Sequence, residues 1–103
     1  MSDQNNAPLD ASSFEWDENK RKSNIEKHHI DFADATEIFY GLRVDLPAKH
    51  PSEIRRKATG LLDGHFVTVV YTRREGVVRI ISARRARDNE RRTYRALYDR
   101  GDP

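Results

Sequence analysis

The segment from Gly76 to Arg87, GVVRIISARRAR, constrains the fold more than any other part of the chain. It is the most apolar run, which predicts a central strand, yet it carries arginines where such a strand is ordinarily apolar. Side chains alternate between the faces of a strand, so strict alternation places Arg79 on one face and Arg84 on the other. An arginine between Val77 and Ile81 must form an ion pair or reach an open cleft. The segment therefore predicts either a structural ion pair or an anion site.

Charge is divided unevenly along the chain. Residues 1–54 contain six Lys or Arg and eleven Asp or Glu, whereas residues 55–100 contain thirteen Lys or Arg and five Asp or Glu. Twelve of those thirteen cations are arginine, whose planar guanidinium suits bidentate contacts to phosphate. A polyanionic partner is the natural inference for the second half. The alternative is a charged surface that serves solubility only.

Length and composition exclude several classes of protein. The 103 residues are enough for one domain with a modest core. The absence of cysteine excludes a disulfide scaffold, a thiolate zinc site and a cysteine nucleophile. No apolar run approaches the roughly 20 residues of a membrane span, and the start lacks the pattern of a secretory signal. The expected location is the cytoplasm.

Caps, turns and apolar spacing predict the element order β-α-α-β-β-β-β-α, an α+β domain with an antiparallel sheet. Residues 1–13 are polar and small, which predicts a disordered N-terminal arm before a single domain at 14–100. Asp17, Asp31 and Asp88 are predicted helix caps, and Asp63-Gly64 is a predicted hairpin turn. The predicted elements are a short strand at 14–16, helices at about 17–28 and 31–40, a strand after 42, strands at 54–62 and 65–72, the Gly76–Arg87 segment, and a helix at about 88–99.

The first predicted helix is unusually polar. Four of its side chains, Lys20, Asn24, Lys27 and His28, fall within about one third of the helix circumference. A solvated face is the ordinary explanation. The alternative is a functional face, because a surface helix normally docks through an apolar stripe that this one lacks.

Two series of residues, taken in order and spacing, resemble a known family. The first is Phe14-Glu15-Trp16-Asp17, Lys20, Asn24, Lys27-His28, Phe32, Ala35 and Phe39. The second is Arg55, Gly60, Val70-Tyr71-Thr72, Arg79-Ile80-Ile81-Ser82-Ala83-Arg84, Ala86, Glu90-Arg91 and Tyr94. Each short motif alone is weak, but together they are similar to the BrnT toxins over about residues 14–98.

The resemblance implies a RelE-like fold, in which helices pack against an antiparallel sheet, and it implies ribonuclease toxicity. It also implies a partner, the BrnA antitoxin, a ribbon-helix-helix DNA-binding protein that neutralises the toxin and represses the shared operon. Operator DNA would then be reached only through the antitoxin. The family usually has glycine after Lys-His, where this chain has His29. Glycine takes the left-handed helix stop without strain, so the exit of this helix and the aim of His28 are expected to differ.

The four histidines do not predict a metal site. His28 and His29 point about 100° apart on a helix, and no i, i+4 pair or acidic cluster supports them. His50 and His65 are expected in a loop or at a strand edge. Metal-free RNA cleavage uses the 2′-hydroxyl of the substrate as the nucleophile, so the protein supplies an acid, a base and charge stabilisation. Neither a metal nor another cofactor is expected.

The candidate catalytic residues are Lys20, His28, Arg55 and Arg79. The two arginines would grip the scissile phosphate and stabilise its developing charge. His28 is the candidate general acid or base, because histidine ordinarily titrates near neutral pH. The alternative is that His28 has only a structural role. Lys20 is either a proton donor or a phosphate contact.

The candidate RNA-binding residues are Tyr71, Arg84, Arg85, Arg87 and Tyr94. The tyrosines would stack on bases, with core packing as the alternative. The arginines would follow the RNA backbone beside the last helix. Glu90 is expected to pair with Arg91 or Arg95, or to clamp Arg84.

Three functions remain open for this sequence. The first is a metal-independent RNA endonuclease that inhibits translation and is held inactive by an antitoxin. The second is a non-catalytic nucleic-acid-binding or regulatory module, and the third is a protein-interaction domain whose arginines meet an acidic partner. A pure binder needs the arginines but has no use for His28 or Lys20, which favours the endonuclease.

Overall fold

A computed structural model describes residues 14–98. The order of elements confirms the predicted order and the α+β class. The predicted arm at 1–13 and the end of the chain after residue 98 lie outside the described residues. No helix in the described part is long and apolar enough to cross a membrane. The elements are β1 (Phe14–Trp16), α1 (Glu18–His28), α2 (Phe32–Ala35), a 3₁₀ helix (Thr36–Tyr40), β2 (Arg43–Ala48), β3 (Arg55–Leu62), β4 (His65–Arg74), β5 (Val77–Arg85) and α3 (Asp88–Tyr98).

The five strands form one sheet in the order β1-β5-β4-β3-β2. Strands β2 to β5 pair antiparallel with their neighbours, whereas β1 pairs parallel with β5. The sheet is therefore mixed, where the sequence predicted antiparallel pairing throughout. A hairpin forces antiparallel pairing, but β1 and β5 are separated by the chain from α1 to β4. No local turn determines the direction of β1.

The helices α1 and α2 and the 3₁₀ helix cover one face of the sheet, which we call the helix face. Phe32 and Phe39 are fully buried there, and the rings of Phe39 and Tyr71 meet edge to face with centroids 5.0 Å apart. Gly60 lets β3 approach the 3₁₀ helix, because a Cβ at this position would lie 3.2 Å from Cγ2 of Ile38. The opposite face, which we call the open face, is covered at one end by α3.

Local signals for the starts of α1 and α2 and for the β3–β4 turn are confirmed, whereas Asp88, the third predicted cap, is the first residue of α3. The Asp17 carboxylate accepts from the N–H groups of Asn19 and Lys20 at 2.8 and 3.2 Å, as expected of an N-cap. Asp31 caps α2 in the same way. The second helix is α-helical only to Ala35 and continues as the 3₁₀ helix to Tyr40, so the predicted single helix is divided. The Asp63-Gly64 turn has positive φ at both residues, 52° and 81°, as a type I′ hairpin requires.

Helix α1 is attached to the sheet through Asn24 rather than through an apolar stripe. β1 pairs only with residues 78–80, so the following part of β5 meets no neighbouring strand on that side within the described chain. There the Asn24 amide takes the position of a strand partner. Its Nδ2 donates to the Ala83 carbonyl at 2.9 Å, and its Oδ1 accepts from the Ala83 N–H at 3.1 Å. Nδ2 also donates to the Ile30 carbonyl at 2.9 Å. This buried amide explains how so polar a helix stays docked.

A β-bulge in β5 changes which arginines share a face. Val70 pairs with Ser82 whereas Tyr71 pairs with Ile80, so Ile81 is an extra residue in β5. The extra residue reverses the alternation of side chains beyond it. Arg79 and Arg84 therefore lie on the same face, opposite Thr72 and Thr68 of β4 respectively. The expectation that they occupy opposite faces was wrong.

Candidate functional site

The open face of the sheet carries basic side chains of β3, β4 and β5, with Arg74 of β4 among them. We call the four that come from β3 and β5 the basic face. Arg55 and Lys57 come from β3, and Arg79 and Arg84 come from β5. The residues of β3 are two apart and so share a face. Those of β5 share it because of the bulge. Helix α3 covers only one end, where Tyr94 packs on Phe66 with ring centroids 5.2 Å apart. The other end is accessible to a ligand.

For Arg79 the sequence left open a structural ion pair or an anion site. In the structure Arg79 forms an ion pair, and its side chain also reaches the surface. Its Nη1 donates to Glu15 of β1 at 3.0 Å. The two side chains are 33% and 44% exposed. Exposed ion pairs contribute only about 0–1 kcal/mol to stability, so a phosphate can compete with Glu15 for this guanidinium.

Arg84 is held differently, by the buried carboxylate of Glu90. Its two terminal nitrogens donate to the two Glu90 oxygens at 2.8 and 3.0 Å. Lys57, the Thr68 hydroxyl and the Arg87 backbone N–H donate to the same carboxylate at 2.9, 3.0 and 2.9 Å. The clamp on Arg84, one of the expected roles of Glu90, is confirmed.

The electrostatics of this cluster keep Glu90 charged. Burial by itself would raise the pKa of Glu90, but the hydrogen bonds from Arg84, the Arg87 backbone, Lys57 and Thr68 outweigh it. The pKa of Glu90 therefore lies well below its usual range. Because this carboxylate holds both Arg84 and Lys57, Arg79 is the more accessible cation of β5 on the basic face.

Arg55 begins β3 and lies two strands from Arg79. Its Nε donates to Glu53 at 2.6 Å, and it lines a cavity of about 580 Å³ formed with the loop that precedes it. Neighbouring strands are about 4.8 Å apart, so the backbones of Arg55 and Arg79 are separated by about 10 Å. A single phosphate lying between the two strands is within reach of both long side chains.

The two tyrosines predicted to stack on bases are core residues in this structure. Tyr71 is 3% exposed and its hydroxyl donates to the Asp45 carboxylate at 2.6 and 2.8 Å. Burial and then the contact with Asp45 raise the pKa of Tyr71. Tyr94 is 6% exposed and packs between Phe66 and Tyr98. Core packing, the alternative stated above, is what the structure shows for both rings.

Lys20 and His28 line one small cavity, as their common helix face predicted. The cavity has a volume of about 220 Å³ and lies between α1 and the edge of β5, where Lys27, Ile81 and Ser82 also line it. We call it the lysine cavity. Ser82 lies opposite Val70, on the open face. The predicted catalytic residues therefore form two groups, one on the basic face and one at the adjoining edge of the sheet.

The remaining predicted arginines lie at the end of β5. Arg85 lines a second cavity, of about 330 Å³, which it shares with His28. Arg87 is exposed just before α3 and contributes its backbone N–H to Glu90. Within residues 14–98, no group of three or more His, Asp or Glu side chains is placed to hold a metal ion.

Two residues of the site were missed by the sequence analysis. Lys57 lies on the basic face two positions after Arg55, and strand alternation from Arg55 would have found it. Glu15 pairs with Arg79 only because β1 lies beside β5, and nothing local in the sequence signals that contact.

Comparison with known proteins identifies the family. Residues 16–90 match the family model described as the ribonuclease toxin, BrnT, of a type II toxin–antitoxin system. A search of curated proteins found no match. The matched segment runs from β1 into the first turn of α3, and so contains Arg79, Arg84, Glu90 and both groups of candidate catalytic residues. The chain therefore belongs to the BrnT family of ribonuclease toxins of type II toxin–antitoxin systems.

Proposed function

We propose that this chain is a metal-independent RNA endonuclease of RelE-like type, which inhibits translation in the cytoplasm when it is free of its antitoxin. The observation that carries the proposal is Arg79, an accessible guanidinium on the open face of a chain that belongs to a ribonuclease toxin family. The edge of the same sheet offers His28 and Lys20 in one cavity.

The proposed reaction is a transesterification followed by release of two RNA fragments. A base removes the proton of the 2′-hydroxyl, the 2′-oxygen bonds to phosphorus, and the bond from phosphorus to the 5′-oxygen breaks. An acid gives a proton to the departing 5′-oxygen. His28 and Lys20 carry these protons, and Arg79 with Arg55 stabilises the charge that develops on the phosphate.

Metal independence is supported by the residues themselves. In the described part of the chain, the histidines and carboxylates form no group of three that suits a metal. Guanidinium, imidazole and ammonium groups are sufficient for acid–base catalysis and charge stabilisation when the substrate provides its own nucleophile.

The proposed partner is a BrnA-type ribbon-helix-helix antitoxin, which would also connect the toxin to operator DNA. We propose that it inhibits by covering the basic face, because Arg79 and Arg87 offer accessible positive charge to an acidic or amphipathic segment. Such pairing would also accelerate association at low salt.

The test is cleavage of RNA by purified protein with and without EDTA, with analysis of the product ends. Cleavage that persists in EDTA and leaves a 2′,3′-cyclic or 3′-phosphate and a 5′-hydroxyl is expected. Ends with a 5′-phosphate would indicate a metal-activated water and contradict the proposal. Salt-sensitive RNA binding without cleavage would favour the non-catalytic binding module.

The mutational test of the proposed function is Arg79→Ala, which should abolish both cleavage and growth inhibition while the protein stays folded. Arg73→Ala is the control, since Arg73 is an exposed arginine near the end of β4 whose side chain lies on the opposite face of the sheet, beside Val78. Full toxicity of Arg79→Ala at equal expression would refute the role of Arg79. Unfolding of the variant would assign Arg79 to structure instead.

A further inference from the structure

The cavity that contains Arg85 lies on the helix face, at the end of the sheet away from the Arg79–Glu15 pair. It is bounded by the junction of α1 and α2 and by the turn between β3 and β4. Three imidazoles, those of His28, His29 and His65, line it, and we call it the histidine cavity. Its volume of about 330 Å³ falls within the range of about 300–1,000 Å³ typical of small-molecule sites.

The lining of the histidine cavity suits a flat, uncharged ring. Ile30, Leu62 and Val67 provide an apolar wall. Imidazole rings and the Arg85 guanidinium are surfaces on which unpaired bases stack. The cavity therefore offers both the apolar contact and the planar groups that a nucleobase requires.

The charges of the two neighbouring cavities suit different parts of a nucleotide. Among the described residues, the histidine cavity contains Asp34 and Asp63 against one arginine, Arg85, so its carboxylates disfavour a phosphate. The lysine cavity contains Lys20 and Lys27, and none of its described lining residues is a carboxylate. Because His28 lines both cavities, a phosphate in the lysine cavity would place its attached base beside the histidine cavity.

The backbone of His29 adds an independent observation. His29 ends α1 in the left-handed conformation, with φ 60° and ψ 32°. This is the common left-handed helix stop, which glycine favours and histidine also adopts. Histidine at this position presents an imidazole to the cavity that glycine would not supply.

We propose that the histidine cavity binds one unpaired base of the RNA substrate, while the phosphate attached to that base lies in the lysine cavity. The inference rests on the proposed ribonuclease function, since it assigns a nucleotide of the substrate to this site. Carboxylates accept hydrogen bonds and donate none when ionised. Uracil offers a single donor, N3–H, between two carbonyl oxygens that repel a carboxylate. Asp34 and Asp63 therefore favour bases with an exocyclic amino group, namely adenine, cytosine and guanine, over uracil.

The test is an NMR titration of the full chain with AMP, CMP, GMP, UMP and inorganic phosphate. The ring signals of His28, His29 and His65 should shift saturably with AMP, CMP and GMP, and at least fivefold more weakly with UMP. His50, in the loop before β3, is the internal control and should not shift. Equal shifts of His29 and His65 with inorganic phosphate, equal shifts at His50, or no shifts at all would overturn the proposal. A shift of His28 with inorganic phosphate is expected, because His28 also lines the lysine cavity. Equal affinity for UMP would overturn the base preference.

A variant separates ligand contact from folding. His29→Gly removes the imidazole and places glycine where the left-handed conformation is free of strain. Its melting temperature should equal or exceed that of the wild type, and its affinity for AMP should fall about fivefold. His50→Ala removes an imidazole outside the cavity and should leave AMP affinity unchanged. Unaltered AMP affinity in folded His29→Gly would overturn the proposal.

The titration requires no cleavage, so it is independent of the proposed activity. Histidine shifts in a protein that does not cut RNA would refute the proposed function and leave the base site standing. RNA cleavage without histidine shifts would refute the base site alone.

Discussion

Two arginines of one strand have different chemical roles because their carboxylate partners differ in burial. Arg79 pairs with Glu15, which is 44% exposed, whereas Arg84 pairs with Glu90, whose side chain is 3% exposed. The exposed pair is weak and open to exchange. The buried one is held by several donors, and losing a partner there would leave an uncompensated charge. Burial of the carboxylate decides which arginine is available to RNA.

The first prediction at this scale concerns the Glu90 cluster. Glu90→Gln removes the charge that Arg84 and Lys57 share, and breaking such a buried pair costs about 3–5 kcal/mol. We expect a loss of about 3 kcal/mol in the free energy of unfolding, measured by urea denaturation at pH 7. Glu26→Gln, at an exposed position of α1, is the control and should change little. Equal stability of the two variants would show that the cluster is not stabilising.

The second prediction concerns pH. The pKa of Glu90 lies below its usual value near 4.5 in the folded chain, so the unfolded chain takes up this proton first as pH falls. The contribution of Glu90 to stability is complete above about pH 4.5 and decreases as pH falls further. Unfolding free energies between pH 7 and pH 3 should decline more steeply for the wild type than for Glu90→Gln. Parallel curves would assign the decline to other carboxylates.

At the scale of elements, α1 is attached to the sheet through one buried amide. Its outer surface is polar, and Asn24 connects it to both hydrogen-bonding groups of Ala83. The same helix presents Lys20 and His28 to the lysine cavity, so the geometry of the proposed proton-transfer groups depends on that attachment.

The corresponding prediction is that Asn24→Ala loosens α1. It removes three hydrogen bonds, each worth about 0.5–1.5 kcal/mol net. A loss of about 2–4 kcal/mol is expected by urea denaturation, with faster hydrogen exchange at the Ala83 amide. Ser23→Ala, at the adjacent exposed position, should cost under about 0.5 kcal/mol. Unchanged exchange at Ala83 would mean that other contacts hold α1.

At the scale of the whole molecule, the arginine-rich half of the sequence forms β3, β4, β5 and α3. Many of its cations are paired in the structure, so its excess positive charge is not all available to a ligand. Arg55, Lys57, Arg79 and Arg84 each contact a carboxylate. RNA binding is therefore expected to release few counterions, fewer than the count of arginines implies.

A salt titration tests this expectation. For single-stranded nucleic acid, the slope of log K against log salt is about −0.7 per phosphate contacted. Arg79→Ala should reduce the magnitude of this slope by about 0.7 when RNA binding is measured by fluorescence anisotropy. Arg73→Ala, on the opposite face of the sheet, should leave the slope unchanged. An unchanged slope in Arg79→Ala would show that Arg79 does not contact phosphate.

The sequence by itself determined the parts of this protein that depend on neighbouring residues. The element order, the caps at Asp17 and Asp31 and the Asp63-Gly64 turn arise from backbone interactions within a few positions. The ordered series of motifs also identified the family. The common helix face of Lys20 and His28 predicted that they would lie together, because helical periodicity is local.

The tertiary structure decided everything that depends on residues far apart in the chain. The parallel direction of β1 follows from its contact with β5, and the bulge at Ile81 brings Arg79 and Arg84 to one face. Core packing removed Tyr71 and Tyr94 from the surface. Glu15 and Glu90 divided the arginines into an accessible one, Arg79, and one held by a buried carboxylate, Arg84. No local pattern encodes these outcomes, because each depends on which side chains the packed sheet and helices bring together.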